Sequence, residues 1–364
     1  MQTTDGSKSK DAKYIRLAQE LRGLVNEGVL KPGDRLPSFV ELRSSHQISR
    51  GTIEKVHSLL ERDGLIVREQ GKGVFVAQPS RKKSSGIIGF VGQGFVESHN
   101  SMYWAHLMEG AQREAGTHDL QLMLLSENFD HRLLNNLDGL LMGENEDSIN
   151  RLLEVLPKRL PRVSIMTPID NVDCVLSDDY QGAFDAARHL LALGHRQIGM
   201  LCAGCNRLIE TRLRGYQRAC RDYGVEPSLS WVRQLRQRPN QPDSVSEFTV
   251  QGRNTINEWL RTDWRDSSCT AIIAQNDHAA VGAIGALRDF GLSVPCDISV
   301  VGFDGAEMYN FFDPKLTTVA IRLREIGAAA IVRLLELING TTPETKNIIL
   351  PADLRIGASS GPVK

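Results

Sequence analysis

Between residues 14 and 25 apolar side chains recur at three- and four-residue intervals, through Ile15, Leu17, Ala18, Leu21, Leu24 and Val25, which predicts a helix with one buried face. Gly28 closes the pattern. Residues 30–37 hold Pro32, Gly33 and Pro37 and predict a structured connection rather than a helix. Ser38, followed three residues on by Glu41, has the form of a capping box, so a second short helix is expected through Ser44. A third is expected from Ser49, with Ile53, Val56, Leu59 and Leu60 on one face and Gly64 as its stop. Short strands at residues 65–68 and 74–77 flank Glu69 to Gly73, so residues 1–77 read as three helices and a two-stranded wing.

The pattern changes after a polar, basic stretch, residues 78–86, which has no apolar face and predicts a flexible linker. Continuous apolar runs at 87–91, 120–125, 137–142, 163–165, 198–202, 270–274 and 298–303 have the look of strands buried on both faces. Helical patterns lie between and after them at 103–115, 180–193, 210–223, 279–290 and 323–338, with Gly116, Gly194, Gly224 and Gly291 as stops. Such alternation over residues 87–364 predicts an α/β body of two lobes, each a parallel sheet covered by helices.

Charge separates the same two parts. The whole chain of 364 residues is nearly balanced, with 43 Lys+Arg and 44 Asp+Glu, but residues 1–86 carry 16 against 10, net +6, and the rest 27 against 34, net −7. A small basic module on an acidic body suggests a head that binds a polyanion. No apolar run reaches the ~18 residues of a membrane helix, and Met1 to Lys10 is too polar for an export signal, so a cytoplasmic protein without a membrane partner is expected. Six irregularly spaced cysteines fit free thiols in a reducing compartment. Cys202 and Cys205 lack the companion pair that structural zinc needs, and Gly92-Gln93-Gly94 has Glu97 at the third glycine position of a dinucleotide fingerprint. With no phosphate loop and no nucleophile elbow, neither catalysis, nor a cofactor, nor a metal is expected.

In a winged helix the third helix can enter the DNA major groove, with Ser49, Arg50 and Thr52 of its first turn facing phosphates and base edges. Arg50 suits bidentate bonding to guanine, while Lys72 and the wing glycines suit the sugar-phosphate chain. Residues 14–76 resemble the GntR family of bacterial winged-helix regulators through Pro32-Gly33-Asp34-Arg35-Leu36-Pro37-Ser38, Ser49-Arg50-x-Thr52 and Gln70-Gly71-x-Gly73-Val74-Phe75-Val76. The resemblance implies DNA contacts from Arg35, Ser38, Ser49, Arg50, Thr52, Gln70, Gly71 and Lys72. Phe39-Val40 stands where members usually have Glu-Arg, and Glu54-Lys55 where many have Arg-Glu or Arg-Gln.

The body resembles the sensor domain of LacI-type regulators, which share the fold of periplasmic sugar-binding proteins. The matching stretches include Asp138-Gly139-Leu140-Leu141, Gly194-His195-Arg196, Arg212-x-x-Gly215-Tyr216, Asn276-Asp277-x-x-Ala280-x-Gly282, Val301-Gly302-Phe303-Asp304, Leu316-Thr317-Thr318-Val319 and Ile326-Gly327. Gly357-Ala358-Ser359 replaces the usual Arg-Glu-Ser. In open parallel sheets ligands bind beyond the carboxyl ends of strands, where Asn276 and Asp304 fall. The resemblance implies effector contacts from Arg212, Asn276 and Asp304, a set suited to the hydroxyls of a sugar or polyol. Tyr103 and Trp104 stand where relatives often set an aromatic against a sugar face, with core packing as the alternative. Asp178 and Asp179 follow a strand and precede a helix, so one is a ligand contact or a cap. A GntR-type head on a LacI-type body resembles the arabinose-repressor subgroup and implies a homodimeric, DNA-binding repressor with a small-molecule effector. The alternatives are a winged helix on an enzyme-like body and a DNA-binding protein whose sensor cleft has no function.

Overall fold

The computed structural model describes residues 5–26, 29–62, 64–69, 72–76, 85–92, 101–126, 129–143, 145–204, 206–227, 231–235, 245–264, 268–340 and 347–364, with the side chains of 5–13, 26, 62, 101 and 245–247 excepted. Its contacts divide the chain into two units, Met1–Ser84 and Ser85–Lys364.

In the first unit, helix α1 (Asp5–Asn26) begins well before the apolar stripe, because residues 5–13 are polar and carry no periodicity to read. It buries Leu17, Ala18 and Leu21 against α3 (Arg50–Arg62), whose Ile53, Val56 and Leu60 are inaccessible to solvent. Between them α2 (Phe39–His46) starts from the expected capping box: Glu41 N donates to Ser38 Oγ at 3.3 Å and Ser38 N to Glu41 Oε2 at 2.6 Å. The helix runs two residues past Ser44 and stops where Gln47 takes a left-handed φ of 49°. Strands β1 (Ile66–Glu69) and β2 (Gly73–Val76) form the antiparallel wing, one residue later at the start of β1 and one earlier at each end of β2 than expected. The proline-rich connection lies against β2, with Leu36 N donating to Val74 O at 2.8 Å and Gly33 N to Val76 O at 3.0 Å.

The second unit holds two six-stranded sheets. The first contains β3 (Ile87–Gly92), β4 (Gln121–Leu125), β5 (Gly139–Gly143), β6 (Arg162–Ile165), β7 (Asp173–Ser177) and β13 (Asn347–Leu350), in the order β13-β7-β6-β5-β3-β4, all parallel. The second contains β8 (Ile198–Cys202), β9 (Val232–Gln234), β10 (Ala271–Ala274), β11 (Ser299–Asp304), β12 (Thr317–Ile321) and β14 (Ala352–Arg355), in the order β14-β12-β11-β10-β8-β9, parallel except for β12 with β14. Helices α4 (Ser101–Thr117), α5 (Glu146–Val155) and α10 (Leu323–Ile338) belong to the first lobe, and α6 (Asp179–Ala192), α7 (Arg207–Asp222), α8 (Val245–Arg261) and α9 (Asp277–Asp289) to the second. The chain passes between lobes after Ser177, after Ile321 and after Leu350, so neither lobe is a continuous segment.

Every run expected to be a strand is one, because Ile88, Phe90, Leu141 and Val163 and their equivalents are buried on both faces of a sheet. Strands β7, β9, β12, β13 and β14 lie beyond those runs: β9, β13 and β14 are short strands at sheet edges, while β7 and β12 are interior and mix polar residues, Asp173 and Ser177 in one and Thr317 and Thr318 in the other, with apolar ones. One glycine stop is corrected. Gly116 lies inside α4, whose end comes at Thr117 and Asp119 (φ 56°), whereas Gly194, Gly224 and Gly291 take φ of 95°, 66° and 88° just past their helices.

Three motif glycines set helix spacing. A Cβ at Gly327 would enter the backbone of α4 at Leu107, one at Gly215 that of α6 at Tyr180, and one at Gly282 that of α8 at Thr249. His195 is also structural. Its ring meets Thr270 Oγ1 at 2.9 Å, Ser299 Oγ at 3.1 Å and Gly361 O at 2.9 Å, fastening the C-terminal tail to the second sheet. Ser359 adds to this, accepting from Thr317 N at 2.8 Å and donating to Val300 O at 2.6 Å.

Candidate DNA-reading head and effector cleft

Ser49 precedes α3 and caps it, accepting from Thr52 N at 3.3 Å, while the Ser49 and Thr52 hydroxyls lie 2.8 Å apart. Arg50, next in line, has an 81% exposed side chain, its Nε 3.4 Å from Glu54 Oε1 and its guanidinium over the Phe39 ring. The structure thus gathers Ser49, Arg50 and Thr52 at one helix start. Ser38 instead has its oxygen engaged in the α2 cap. Arg35 pairs with Phe75 and lays its guanidinium beside Gly73 of the wing, where a Cβ would come within 2.9 Å of Nε. Lys72 is exposed and lies 3.1 Å from Glu69. Gln70, Gly71 and Ala77, like residues 78–84 of the expected linker, lie outside the described residues.

In the body the carboxyl ends of β7, β10 and β11 bring together a buried polar cluster. Arg212, on α7, is 5% exposed. It donates from Nε to Asp179 Oδ1 at 2.7 Å, from Nη2 to the same oxygen at 2.6 Å, and from Nη1 to Gln275 O at 2.6 Å. Its guanidinium carbon stands 3.5 Å from the centre of the Phe303 ring. Three of its five N–H groups are therefore used in holding it, and one on each terminal nitrogen has no partner among the described residues.

Asp304 ends β11 with φ at 96°, a strained conformation for a residue with a side chain, and no described group donates to its carboxylate. Burial pushes its pKa up to about 6, against the pull of Arg212 and with the help of the Asp179 charge. Asn276 caps α9, Oδ1 accepting from Ala279 N at 2.9 Å, so its amide nitrogen is left as a donor. Tyr103, at the start of α4 in the other lobe, has its hydroxyl pKa raised well above normal by burial first, then by the charges of Asp304 and Asp179. Trp104 packs edge-on to Phe90, and the ring lies where a Cβ on Gly143 would fall.

Of the two aspartates after β7, Asp178 is the cap, accepting from Gln181 N at 2.9 Å. Asp179 is the one in the cluster, accepting from the Ser177 hydroxyl at 2.6 Å as well as from Arg212. Asp277 was legible only as part of a motif. It is 1% exposed, accepts from Thr318 Oγ1 at 2.5 Å and Ala306 N at 2.6 Å, and is pushed up to about 8, by burial first and then by Asp304. Phe303, whose ring face backs Arg212, was likewise legible only within a motif, and Gln275, which fixes Arg212 through a backbone oxygen, carried no sequence signal. Ion pairs also span the lobes: Arg207 of α7 meets Asp170 at 2.9 Å and Glu146 at 3.2 Å. Among the described residues no group of His, Cys, Asp and Glu could hold a metal, and none of the described cysteines is in a disulfide; Cys205 lies outside them.

Comparison with known proteins bears on both units. Residues 13–76 match the model of bacterial regulatory proteins of the gntR family, and residues 187–360 that of the periplasmic binding protein-like domain. The chain is a GntR-type DNA-binding head fused to a LacI-type, periplasmic-binding-protein-like sensor. This two-part regulator is 28% identical to an arabinose metabolism transcriptional repressor of Geobacillus stearothermophilus, over 90% of the chain and 91% of that protein. It is 26% identical to a repressor of the same description from Halalkalibacterium halodurans, over 88% of each. A LacI family transcriptional regulator from Enterococcus faecium, solved with bound ribose, is 25% identical, superposes with a TM-score of 0.62 and covers 76% of this chain and 100% of that one. These relatives are regulators and not enzymes, and the chain resembles the sugar-responsive members of the group. No described helix is long and apolar enough to cross a membrane.

Proposed function

We propose that the chain is a cytoplasmic, homodimeric repressor that binds a pseudopalindromic operator and is controlled by a small neutral sugar or polyol held between the lobes of its sensor. Residues 1–77 form the reading head, 78–86 the tether and 87–364 the sensor. Arg50 reads a base, Ser49 and Thr52 support it, and Arg35, Ser38, Gln70, Gly71 and Lys72 meet the phosphate chain. The observation that carries the effector half is Arg212, immobilised by Asp179, Gln275 O and the Phe303 ring yet left with two N–H groups beside the unpaired Asp304 carboxylate. Donors from Arg212 and Asn276 and acceptors from Asp304 are what adjacent hydroxyls require, since each hydroxyl both donates and accepts. Tyr103 and Trp104 supply an apolar wall, and Asp178 acts by starting α6. The ribose bound by the Enterococcus faecium relative favours the same ligand class. An exposed apolar stretch, with Phe311 97% and Met308 56% accessible, supports self-association.

A thermal-shift series against pentoses, hexoses and their acids tests the reading, because a ligand stabilises the state it binds. One neutral sugar is expected to raise the melting temperature of the wild type and to leave Asp304→Asn unmoved. Operator DNA should then lower affinity for that sugar by the factor by which the sugar lowers affinity for operator. A ligand response that survives Asp304→Asn refutes the site, and equal sugar affinities with and without operator refute the coupling.

A further inference from the structure

Exposed arginines at a helix start usually swing through many rotamers, and Arg50 is 81% exposed, yet it touches two side chains that restrict it. Its guanidinium carbon lies 5.5 Å from the centre of the Phe39 ring, within the range of a cation–π contact. One turn along α3, Glu54 Oε1 stands 3.4 Å from Nε. The ring is itself held. Phe39 is the first residue of α2, placed by the Ser38–Glu41 capping box, and its edge meets His57 at 5.5 Å and 75°. His57 is 1% exposed in the core of the head, so the platform under Arg50 is anchored to that core.

The chemistry of the arrangement is asymmetric. Glu54 takes the Nε edge of the guanidinium, and the two terminal nitrogens have no partner among the described residues. Those two nitrogens are the pair whose spacing matches O6 and N7 of guanine across the major groove. We infer that Phe39 is a positioning residue for base reading: its ring, wedged between His57 and Arg50, sets the guanidinium with its terminal nitrogens outward and so confers guanine selectivity at one position of each half-site. A leucine at this place fills space against His57 but offers no π face, whereas a tyrosine keeps the face. The inference rests on the proposed role of Arg50 as a base reader.

The test uses the full chain. A duplex is selected from random sequences by binding to the wild type, and each guanine is then replaced in turn by 7-deazaguanine, which lacks the N7 acceptor. One guanine per half-site is expected at which this replacement weakens the wild type but not Arg50→Ala. At that guanine Phe39→Leu should lose discrimination by about two- to fivefold, the size of an exposed cation–π contact. Phe39→Tyr should keep it, and both variants should bind unrelated duplex as the wild type does. Full discrimination in Phe39→Leu overturns the inference while leaving Arg50 as the reader. So does an equal loss on every duplex accompanied by a lowered melting temperature. If Arg50→Ala stays sensitive at every guanine, the reading of Arg50 fails first, and the role of Phe39 falls with it.

Discussion

The two halves of this regulator hold their arginines in opposite ways. Arg50 in the head stands in solvent, with one exposed ion pair and one ring contact, while Arg212 in the sensor is buried, with three hydrogen bonds and a ring at 3.5 Å. The difference fits the partner proposed for each. A duplex arrives with its own dense charge, so the reading group has to project into water and release counterions. A small uncharged polyol offers only hydroxyls, which compete poorly with water unless the groups that receive it are already desolvated and fixed. The sensor accordingly carries the strained Asp304 backbone and the carboxyl groups displaced upward, at Asp304 and Asp277.

Removing each arginine sharpens the contrast. Arg212→Ala leaves Asp179 and Asp304 without a counter-charge in the interior, and a loss of about 3–5 kcal/mol is expected in the unfolding of the sensor. Arg50→Ala should leave folding untouched. Urea titration read by probes in each unit checks this, since two separate units need not unfold as one. A sensor transition that stays at its wild-type midpoint in Arg212→Ala would show that the pair contributes nothing net.

The units should also differ in their response to pH. Asp277 is held up to about 8, far above an ordinary carboxyl, so the folded sensor keeps a proton that the unfolded chain gives up. That contribution is complete below about pH 4 and is lost as pH rises through 8. From pH 8 down to 7 the sensor should therefore gain stability, and Asp277→Asn should abolish the gain. The head carries the reverse device. His57 is buried with both ring nitrogens unpaired, and burial first, then Arg68, lowers its pKa, against Glu61 and Glu54. Its neutral form suits the fold, so the head should hold its stability above the ordinary histidine range, about 6.5, and lose it as pH falls below. His57→Leu should flatten that loss in the same titration.

The smallest effect is expected at Arg207, which joins the lobes through exposed pairs to Asp170 and Glu146. Such pairs contribute roughly 0–1 kcal/mol and are screened by salt. Arg207→Ala should shift effector affinity less than about fivefold, and the shift should vanish at high salt.

Much of the architecture was open to reading along the chain. The capping box at Ser38, the wing and seven apolar strand runs came from periodicity and turn chemistry, because those signals are local. What local pattern missed has a common cause. Strands β7, β9, β12, β13 and β14 are three to five residues long with polar residues among the apolar ones, and the lobe crossings after Ser177, Ile321 and Leu350 bring distant segments into one sheet. At the site, Arg212, Asn276 and Asp304 were visible through motif order. That Asp179 and not Asp178 would join them depended on one residue of phase at the start of α6, which sets one carboxylate to cap the helix and turns the next inward.

The sequence by itself determined a basic winged head, an acidic two-lobed α/β body and a set of polar residue types suited to hydroxyls, since periodicity, charge and motif spacing are properties of neighbouring positions. Only the tertiary structure decided which groups retain unused hydrogen-bonding capacity. Arg212, Asp304, Asp277 and Phe39 acquire their roles from partners far along the chain or in another element, and burial, which sets both their proton affinity and their orientation, exists only once those partners have met.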